Sequence, residues 1–438
     1  MSTPARGAKW KNFAAKPGKS VTARAYAFCM CMGEGRAVKR IVCILLLLLF
    51  LPLDADSCAS EGLSVAAKGA VLIDAKSGRV LFGQNENERF PMASTTKIMT
   101  ALLALESCSL DETVTASENA SGVPGTSIYL GVGERLTMEE MLYGLLLRSG
   151  NDAAVAIAEH VSGSAEDFAA RMNARAAELG ADAHFENPHG LDAEGHAASA
   201  LALARIFRQA MQNGDFRRIT GTQRMTIPWV GNDFARVLTN KNRLLSTYPG
   251  ATGGKTGYTS DAGRCLVFSA ERDGMELIGA VLSCPNWFDE AGRMLDWGFE
   301  NYRMEAPLLA GEAACECAVA GGMAGTVTAV AENDLAAAVG EGEVWRVDYD
   351  FPGGVRAPLE KGEAIGTATL YIEGEAAAKT ALLAVRMWKS ATSQVPSGGC
   401  SRAGYCCLQP EICPPFSLVA EGFRAGKLSR AGPGFQQI

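Results

Sequence analysis

The chain has 438 residues, of which 48% are hydrophobic and 20% charged, and its formal net charge is −7. This length and composition predict two or three globular domains and exclude a mainly disordered chain. The mildly acidic balance also argues against nucleic acid as the main partner.

The first segment is basic and leads into a short apolar run. Residues 1–40 hold nine Lys or Arg and one acid, Glu34, and the run from Ile41 to about Leu53 is followed by small and polar residues. A basic stretch, an apolar stretch and a cleavage sequence near Ser57–Ala59 are typical of a signal peptide. We therefore expect residues 1–59 to form a leader and signal peptide, and the protein to be exported.

Strand and helix patterns alternate from residue 60 to 304. Residues 69–84 predict two strands around a turn, and apolar residues at helical spacing run from about Thr95 to Arg208. Within that stretch, Thr137 and Glu140 predict a capping box at the start of a helix. Residues 264–283 predict a late hairpin, and residues 294–302 a closing helix. Strands at both ends with helices between them predict an α+β domain whose terminal strands share one sheet.

The pattern changes after about residue 310. Residues 310–388 contain short segments in which apolar and polar residues alternate, separated by turn residues, and this pattern predicts a small all-β domain. Residues 389–438 are rich in Gly, Pro, Ser and Cys without periodicity, which predicts a disordered tail. The thirteen cysteines and four histidines show no H-x-x-x-H or C-x-x-C spacing of the kind that metal ligands have. We therefore expect isolated buried thiols, no metal site and no cofactor.

The segment "PMASTTKIMTALLALE" (91–106) places Ser94 and Lys97 three residues apart at the start of an apolar helix. Residues at this spacing share a helix face, with Cβ atoms about 5–6 Å apart. Burial and the positive helix N-terminus would lower the pKa of Lys97, which could then take a proton from Ser94. Taken alone, the pair also fits a capping serine beside a solvated lysine.

Two further motifs follow in the chain. Ser149 and Asn151 flank Gly150 at a break between two apolar helices, and Lys255, Thr256 and Gly257 lead into the late hairpin. The order Ser-x-x-Lys, Ser-x-Asn, Lys-Thr-Gly is the signature of class A β-lactamases and penicillin-binding proteins.

Residues 62–304 resemble the D-alanyl-D-alanine carboxypeptidases among the low-molecular-weight penicillin-binding proteins, in blocks such as "LLLRSGNDAAVAIAE" and "GGKTGYTSDAG". The segment 310–388 resembles the C-terminal β domain of that family. The resemblance implies a β-lactamase/transpeptidase-like domain, an antiparallel sheet with a helical subdomain, followed by the small all-β domain.

The resemblance also implies a mechanism and a substrate. Ser94 would attack the D-Ala–D-Ala peptide of a peptidoglycan stem pentapeptide with Lys97 as base, and Ser149 would pass a proton to the leaving amine. β-Lactams would acylate the same serine as substrate mimics. The implied substrate-binding residues are Asn151 for the amide, Lys255 and Thr256 for the carboxylate, Gly257 for close approach, and the backbone N–H of Tyr258, with that of Ser94, for the oxyanion.

Alternatives remain open at this point. A class A β-lactamase needs a glutamate in an E-x-x-x-N setting between residues 152 and 254, and Glu186 instead stands directly beside Asn187. A non-catalytic penicillin-binding wall protein is disfavoured by the intact motifs. Arg264 is interpreted as a solvated strand residue and His189 as a structural turn residue. No membrane anchor is evident, because the tail lacks the family's amphipathic helix, and membrane association is left open.

Overall fold

The computed structural model describes residues 63–321 and 325–387. The signal peptide expected within residues 1–59 and the disordered tail expected within residues 389–438 lie outside these described residues. The helices are α1 (Lys97–Ser107), α2 (Met138–Tyr143), α3 (Asn151–Ser162), α4 (Ala165–Glu178), α5 (Ala200–Met211), α6 (Gly214–Gly221), α7 (Leu244–Thr247) and α8 (Trp287–Asn301).

Strands account for most of the remaining structure. They are β1 (Gly69–Asp74), β2 (Val80–Gln84), β3 (Arg89–Phe90), β4 (Thr113–Thr115), β5 (Arg135–Thr137), β6 (Ala183–His184), β7 (Ala197–Ser199), β8 (Arg224–Ile227), β9 (Arg236–Thr239), β10 (Ala251–Thr259), β11 (Gly263–Arg272), β12 (Met275–Leu282), β13 (Tyr302–Leu308), β14 (Ala313–Ala318), β15 (Thr326–Ala331), β16 (Leu335–Gly340), β17 (Trp345–Asp350), β18 (Ala364–Ile372) and β19 (Glu375–Ala384).

A five-stranded antiparallel sheet carries the first domain, in the order β10-β11-β12-β1-β2. β1 pairs with β12, from Gly69 opposite Leu282 to Asp74 opposite Leu277, so the prediction that the terminal strands share one sheet is confirmed. Every residue of β1 is buried, because alternate side chains enter different cores. Val71 lies in the core with the helical subdomain, and Leu72 lies in the core with α8.

The helical subdomain lies between β2 and β10 in the chain. The predicted capping box is present at the start of α2: the Thr137 side chain accepts from the Glu140 N–H, and the Glu140 side chain accepts from the Thr137 N–H. The amphipathic helix α5 contacts both β1 and β12, which fixes the subdomain on the sheet. α1 and α3 pack against each other within this subdomain.

The closing helix differs from its prediction. α8 begins at Trp287, seven residues before the predicted start at 294, and it ends at Asn301. The first turn combines the acids Asp289 and Glu290 with the buried Phe288. Over so few residues the apolar positions show no clear helical periodicity, so the start of the helix was not predicted. Tyr302 begins β13, so the predicted boundary after residue 304 falls within a strand.

The residues from Tyr302 onward form β structure. One sheet has the order β14-β15-β19-β18-β17, and β13 pairs with β16 beside it. Arg79, just before β2, donates to Glu343 and to the Ala338 carbonyl, and Asp74 accepts from the Ala338 N–H. These contacts hold β16 against the turn between β1 and β2. Within the two described ranges, no helix combines the length and the apolar character that a membrane span needs.

Candidate active site

Ser94 and Lys97 meet where a short 3-10 turn becomes helix α1. The turn covers Ala93–Thr96, and Lys97 is the first residue of the helix. Ala93 has a left-handed φ of 48°, which bends the chain into the turn. The Lys97 Nζ lies 2.9 Å from the Ser94 Oγ. The two side chains therefore share a face as predicted, although Ser94 belongs to the turn rather than to the α-helix.

Lys97 lies in surroundings that disfavour its charged form. Its side chain is fully buried, and burial, assisted by the charge of Lys241, holds the pKa of the amine well below its ordinary value. Its Nζ also lies 2.8 Å from the Asn151 Oδ1 and 2.5 Å from the His189 carbonyl oxygen. A neutral amine has two N–H donors and one lone pair. In this form the two donors would satisfy Asn151 and His189, and the lone pair would accept from the Ser94 hydroxyl.

The second motif occupies the predicted break between helices. A π-helical turn, Gly144–Arg148, ends at Ser149, whose φ of 66° is left-handed, and Asn151 begins α3. Asn151 is fixed on both sides, because its N–H donates to the Thr126 carbonyl and its Nδ2 donates to the Pro124 carbonyl. The carboxamide oxygen is therefore directed at Lys97.

The third motif lies on β10, an edge strand of the sheet. The Lys255 Nζ donates to the Ser149 Oγ at 3.0 Å and to the Thr256 carbonyl at 2.6 Å. Burial, followed by the charges of Lys97 and Lys241, lowers the pKa of Lys255 well below its ordinary value. The residues that lead into the predicted hairpin thus form a strand, β10, which pairs with β11.

Gly257 brings β10 against the nucleophile. A Cβ at this position would lie 2.9 Å from the Ser94 amide nitrogen and 3.0 Å from the Met92 carbonyl oxygen. Only glycine allows this approach without a shift of backbone. The side chain of the neighbouring Tyr258 is 66% exposed.

The predicted residues thus form two linked groups. Ser94, Lys97 and Asn151 are in direct contact in one group, and Ser149 is bonded to Lys255 in the other. The close approach of Gly257 to Ser94 joins the two. This arrangement places one hydroxyl beside a buried amine, and a second hydroxyl beside a second buried amine, on adjoining segments of backbone.

The turn "NPHGLD" is part of the site through its backbone, which the sequence pattern did not reveal. The His189 carbonyl accepts from Lys97, while its Nδ1 accepts from the Leu191 N–H, so the imidazole itself has the structural role predicted for it. Gly190 has a φ of 84°, and a Cβ there would lie 2.0 Å from the Ala93 carbonyl oxygen. The glycine in this turn indicates a close backbone contact, but the sequence does not show which segment makes that contact.

Two other buried groups position the site. The His196 Nε2 lies 2.8 Å from the Thr96 Oγ1, and burial lowers the pKa of His196 to about 4. The Asp152 carboxylate accepts from the N–H groups of Ile128 and Leu130, which ties the adjoining loop to α3. Both contacts cross long stretches of sequence, so local patterns could not predict them.

Arg264 and the cysteines lie outside the contacts described above. Arg264 is exposed and donates to the Pro285 carbonyl at 2.7 Å, as expected of a solvated strand residue. Cys265 is a buried thiol, as predicted, with a pKa raised by burial to about 12. The prediction of isolated buried thiols is wrong for Cys315 and Cys317, whose Sγ atoms lie 3.7 Å apart, and for the partly exposed Cys108.

Comparisons with known proteins agree with this geometry. The family model described as D-alanyl-D-alanine carboxypeptidase matches residues 56–286, and that described as penicillin-binding protein 5, C-terminal domain, matches residues 302–389. The chain is 34% identical to D-alanyl-D-alanine carboxypeptidase DacF of Bacillus subtilis over 348 residues, 77% of this chain and 89% of that protein.

Further relatives show the same likeness. D-alanyl-D-alanine carboxypeptidase DacB2 of Mycobacterium tuberculosis is 38% identical over 238 residues, 52% of this chain and 81% of that protein. The crystal structure of penicillin-binding protein 5 from Haemophilus influenzae superposes with a TM-score of 0.65 at 29% identity, and covers 75% of this chain and 99% of that one.

Proposed function

This chain belongs to the D-alanyl-D-alanine carboxypeptidase family, a family of serine peptidases, and we propose that it removes the terminal D-alanine from peptidoglycan stem pentapeptides through an acyl-enzyme on Ser94. One observation carries the residue assignment: the fully buried Lys97 amine lies 2.9 Å from the Ser94 hydroxyl. A hydroxyl becomes an effective nucleophile when such a base accepts its proton.

In the acylation step, the Ser94 oxygen attacks the carbonyl carbon of the penultimate D-alanine as its proton passes to Lys97. The negative charge moves to the carbonyl oxygen, where the N–H groups of Ser94 and Tyr258 are proposed to stabilise it. The close approach of Gly257 to the Ser94 amide nitrogen supports this placement, because it brings the two backbone segments side by side.

The C–N bond then breaks and the leaving amine needs a proton. Ser149 is proposed to deliver its hydroxyl proton to this amine and to receive in turn the proton that Lys97 took from Ser94. The hydrogen bond from Lys255 supports this role because it orients the Ser149 hydroxyl. Asn151 would orient the substrate amide, while Lys255 and Thr256 would bind the terminal carboxylate. An arriving carboxylate favours the protonated form of Lys255, whose pKa is lowered in the free enzyme. Water then attacks the ester and restores Ser94.

Substrate and location follow from the same proposal. Peptidoglycan lies outside the cytoplasm, so the enzyme is proposed to act in the cell envelope after export. The family match begins at residue 56, close to the expected cleavage sequence, which supports a mature body that starts there. β-Lactams are proposed to acylate Ser94 as mimics of the D-Ala–D-Ala bond.

The test is covalent labelling with a fluorescent penicillin, measured beside D-alanine release from a synthetic pentapeptide. We expect both activities in the wild type and neither in Ser94→Ala. Ser164→Ala is the matched control, because Ser164 caps α4 and its hydroxyl accepts from the Asp167 N–H. This variant should lose stability but keep labelling. Labelling without D-alanine release would favour a binding role instead, and turnover of a chromogenic β-lactam without D-alanine release would favour a β-lactamase.

A further inference from the structure

Three side chains of metal-ligating type come together at the C-terminal ends of α1 and α3. Cys108 is the C-cap of α1, Glu112 lies in the turn that follows, and His160 lies in the last turn of α3. One donor atom from each, a sulfur, a carboxylate oxygen and a ring nitrogen, lies within 4.8 Å of the other two. We propose that Cys108, Glu112 and His160 bind one Zn²⁺ ion.

The donor set suits this ion. Thiolate, imidazole and carboxylate are the protein ligands of Zn²⁺, with bonds of about 2.0–2.3 Å, and three of them leave a fourth position for water. The His160 Nε2 and the Glu112 Oε2 are already 3.3 Å apart, near the spacing of about 3.4 Å between two ligands of a tetrahedral site. The Cys108 sulfur lies within 4.8 Å of both atoms and would move closer to them on binding.

The carboxylate is also oriented before any ion arrives. The Glu112 Oε1 accepts from the Ser109 N–H at 2.7 Å and from the Ser109 Oγ at 3.2 Å, which turns Oε2 towards His160. Hydrogen bonds of this kind fix ligand orientation in metal sites. Burial and the charge of Glu112 raise the pKa of the Cys108 thiol, so binding of the ion would release its proton.

One cation borders the cluster. Arg171 donates to the Ser107 Oγ and to the Val161 carbonyl, and its charge favours the Cys108 thiolate although it opposes a second cation. The thiolate and the Glu112 carboxylate together balance the charge of a divalent ion. The arginine donates to Val161, Ser162 and Ser107, none of which is a proposed ligand.

The position of the cluster gives the ion a structural consequence. The first residues of α1 and α3 are Lys97 and Asn151, which are bonded to each other in the active site. The cluster joins the opposite ends of the same two helices, about 17 Å away at 1.5 Å per residue. A bound ion would therefore tie together, at their far ends, the two helices that hold the base and its partner.

The site escaped the sequence analysis because two of its members are far apart in the chain. Glu112 and His160 are 48 residues apart and meet only through the packing of α1 with α3. The expectation of no metal site rested on local spacing alone.

The experiment titrates Co²⁺, and then Zn²⁺ in competition, into the full-length protein after it has been reduced and freed of metal by a chelator. Tetrahedral Co²⁺ bound to thiolate gives a charge-transfer band in the near ultraviolet. We expect Cys108→Ser to remove one equivalent of this band and His160→Gln to weaken Zn²⁺ binding at least tenfold. Zn²⁺ at a hundred times its Kd should raise the Tm of the wild type by about 5 °C.

The controls are Cys315→Ser and His184→Gln. His184 pairs with Glu186 at 2.7 Å, much as His160 pairs with Glu112, but no cysteine of residues 63–321 or 325–387 completes a cluster there. Both controls should keep the binding stoichiometry and the Zn²⁺-induced rise in Tm. Glu112→Gln gives a third test should Cys108→Ser fail to fold. Equal Co²⁺ and Zn²⁺ binding by wild type, His160→Gln and Glu112→Gln would overturn the proposal, whatever the outcome for the peptidase activity.

Discussion

The active site and the β domain bury different kinds of side chain. In the active site, Lys97, Asn151 and Lys255 are almost completely buried. Among the described residues from Tyr302 onward, Thr380 is the one buried polar side chain, and the core consists of Leu, Ile, Val and Ala. Because burial of an amine costs free energy unless its hydrogen bonds are replaced, Lys97 and Lys255 depend on the partners that surround them in the site. The β domain has the composition of a region selected for packing.

The largest effect on the acylation rate is expected from a substitution of Lys97, a buried polar residue of the active site. Lys97→Met keeps the volume of the side chain and removes the base, so we expect acylation by penicillin to fall about 10³-fold or more. Loss of the desolvated amine and loss of its bonds to Asn151 and His189 act in opposite directions on stability. The free energy of unfolding should therefore change by about 2 kcal/mol or less. Stopped-flow acylation and urea denaturation measure the two effects, with the exposed Lys76→Met as control.

The pH dependence sharpens the same point. The folded pKa of Lys97 is lowered by burial, whereas the unfolded chain keeps the ordinary value near 10.5, so the unfolded state binds more protons between the two. Acylation should rise with pH through the folded pKa. The free energy of unfolding should also rise with pH up to about 10.5, and should fall as pH drops towards the folded pKa. Lys255 adds to this slope, so Lys97→Met should reduce the slope without abolishing it; an unchanged slope would contradict a neutral Lys97.

A substitution in the core of the β domain should lower stability and leave acylation unchanged, the opposite of the result expected for Lys97→Met. Leu370 is fully buried in β18, and Leu370→Ala should lower the free energy of unfolding by about 2–5 kcal/mol through lost contacts and a cavity. No active-site group depends on this residue, so the acylation rate at 25 °C should stay within twofold of wild type. A tenfold loss of acylation in protein that is still folded would show that the two regions are coupled.

Gly257→Ala probes the contact between β10 and the nucleophile. The new Cβ would meet the Ser94 amide nitrogen and the Met92 carbonyl at 2.9 and 3.0 Å, and neither backbone group can rotate away. We expect a cost of about 1–3 kcal/mol, seen mainly as a 10- to 100-fold slower acylation. Gly214→Ala is the control, since a Cβ there meets nothing within 4 Å and the residue begins a helix. Similar rates in both variants would remove Gly257 from the site.

The sequence predicted what periodicity and motif order encode. The sheet shared by β1 and β12, the capping box at Thr137 and the three motifs all appear where they were expected. Two contacts between distant segments were not predicted: the hydrogen bond from Lys97 to the His189 carbonyl and the bond between His196 and Thr96. The strand β13, which begins directly after α8, was not predicted either. A contact made by a backbone carbonyl does not depend on the residue type, so it leaves no mark in the sequence. In β13, buried and exposed residues do not alternate regularly, so the strand has no clear period of two.

The smallest effect is expected at the junction of the two regions. The Lys76 Nζ lies 3.0 Å from the Asp334 Oδ2, but the two side chains are 45% and 40% exposed, so water and salt screen their attraction. A double-mutant cycle with Lys76→Ala and Asp334→Ala should give a coupling below about 1 kcal/mol that declines in 1 M salt. Arg79 and Glu343 are the internal comparison, since they are less exposed and bonded through both nitrogens. Their coupling should be larger, because partial burial weakens the screening. If the two cycles gave equal values, the junction would depend on the packing around β16 rather than on its charges.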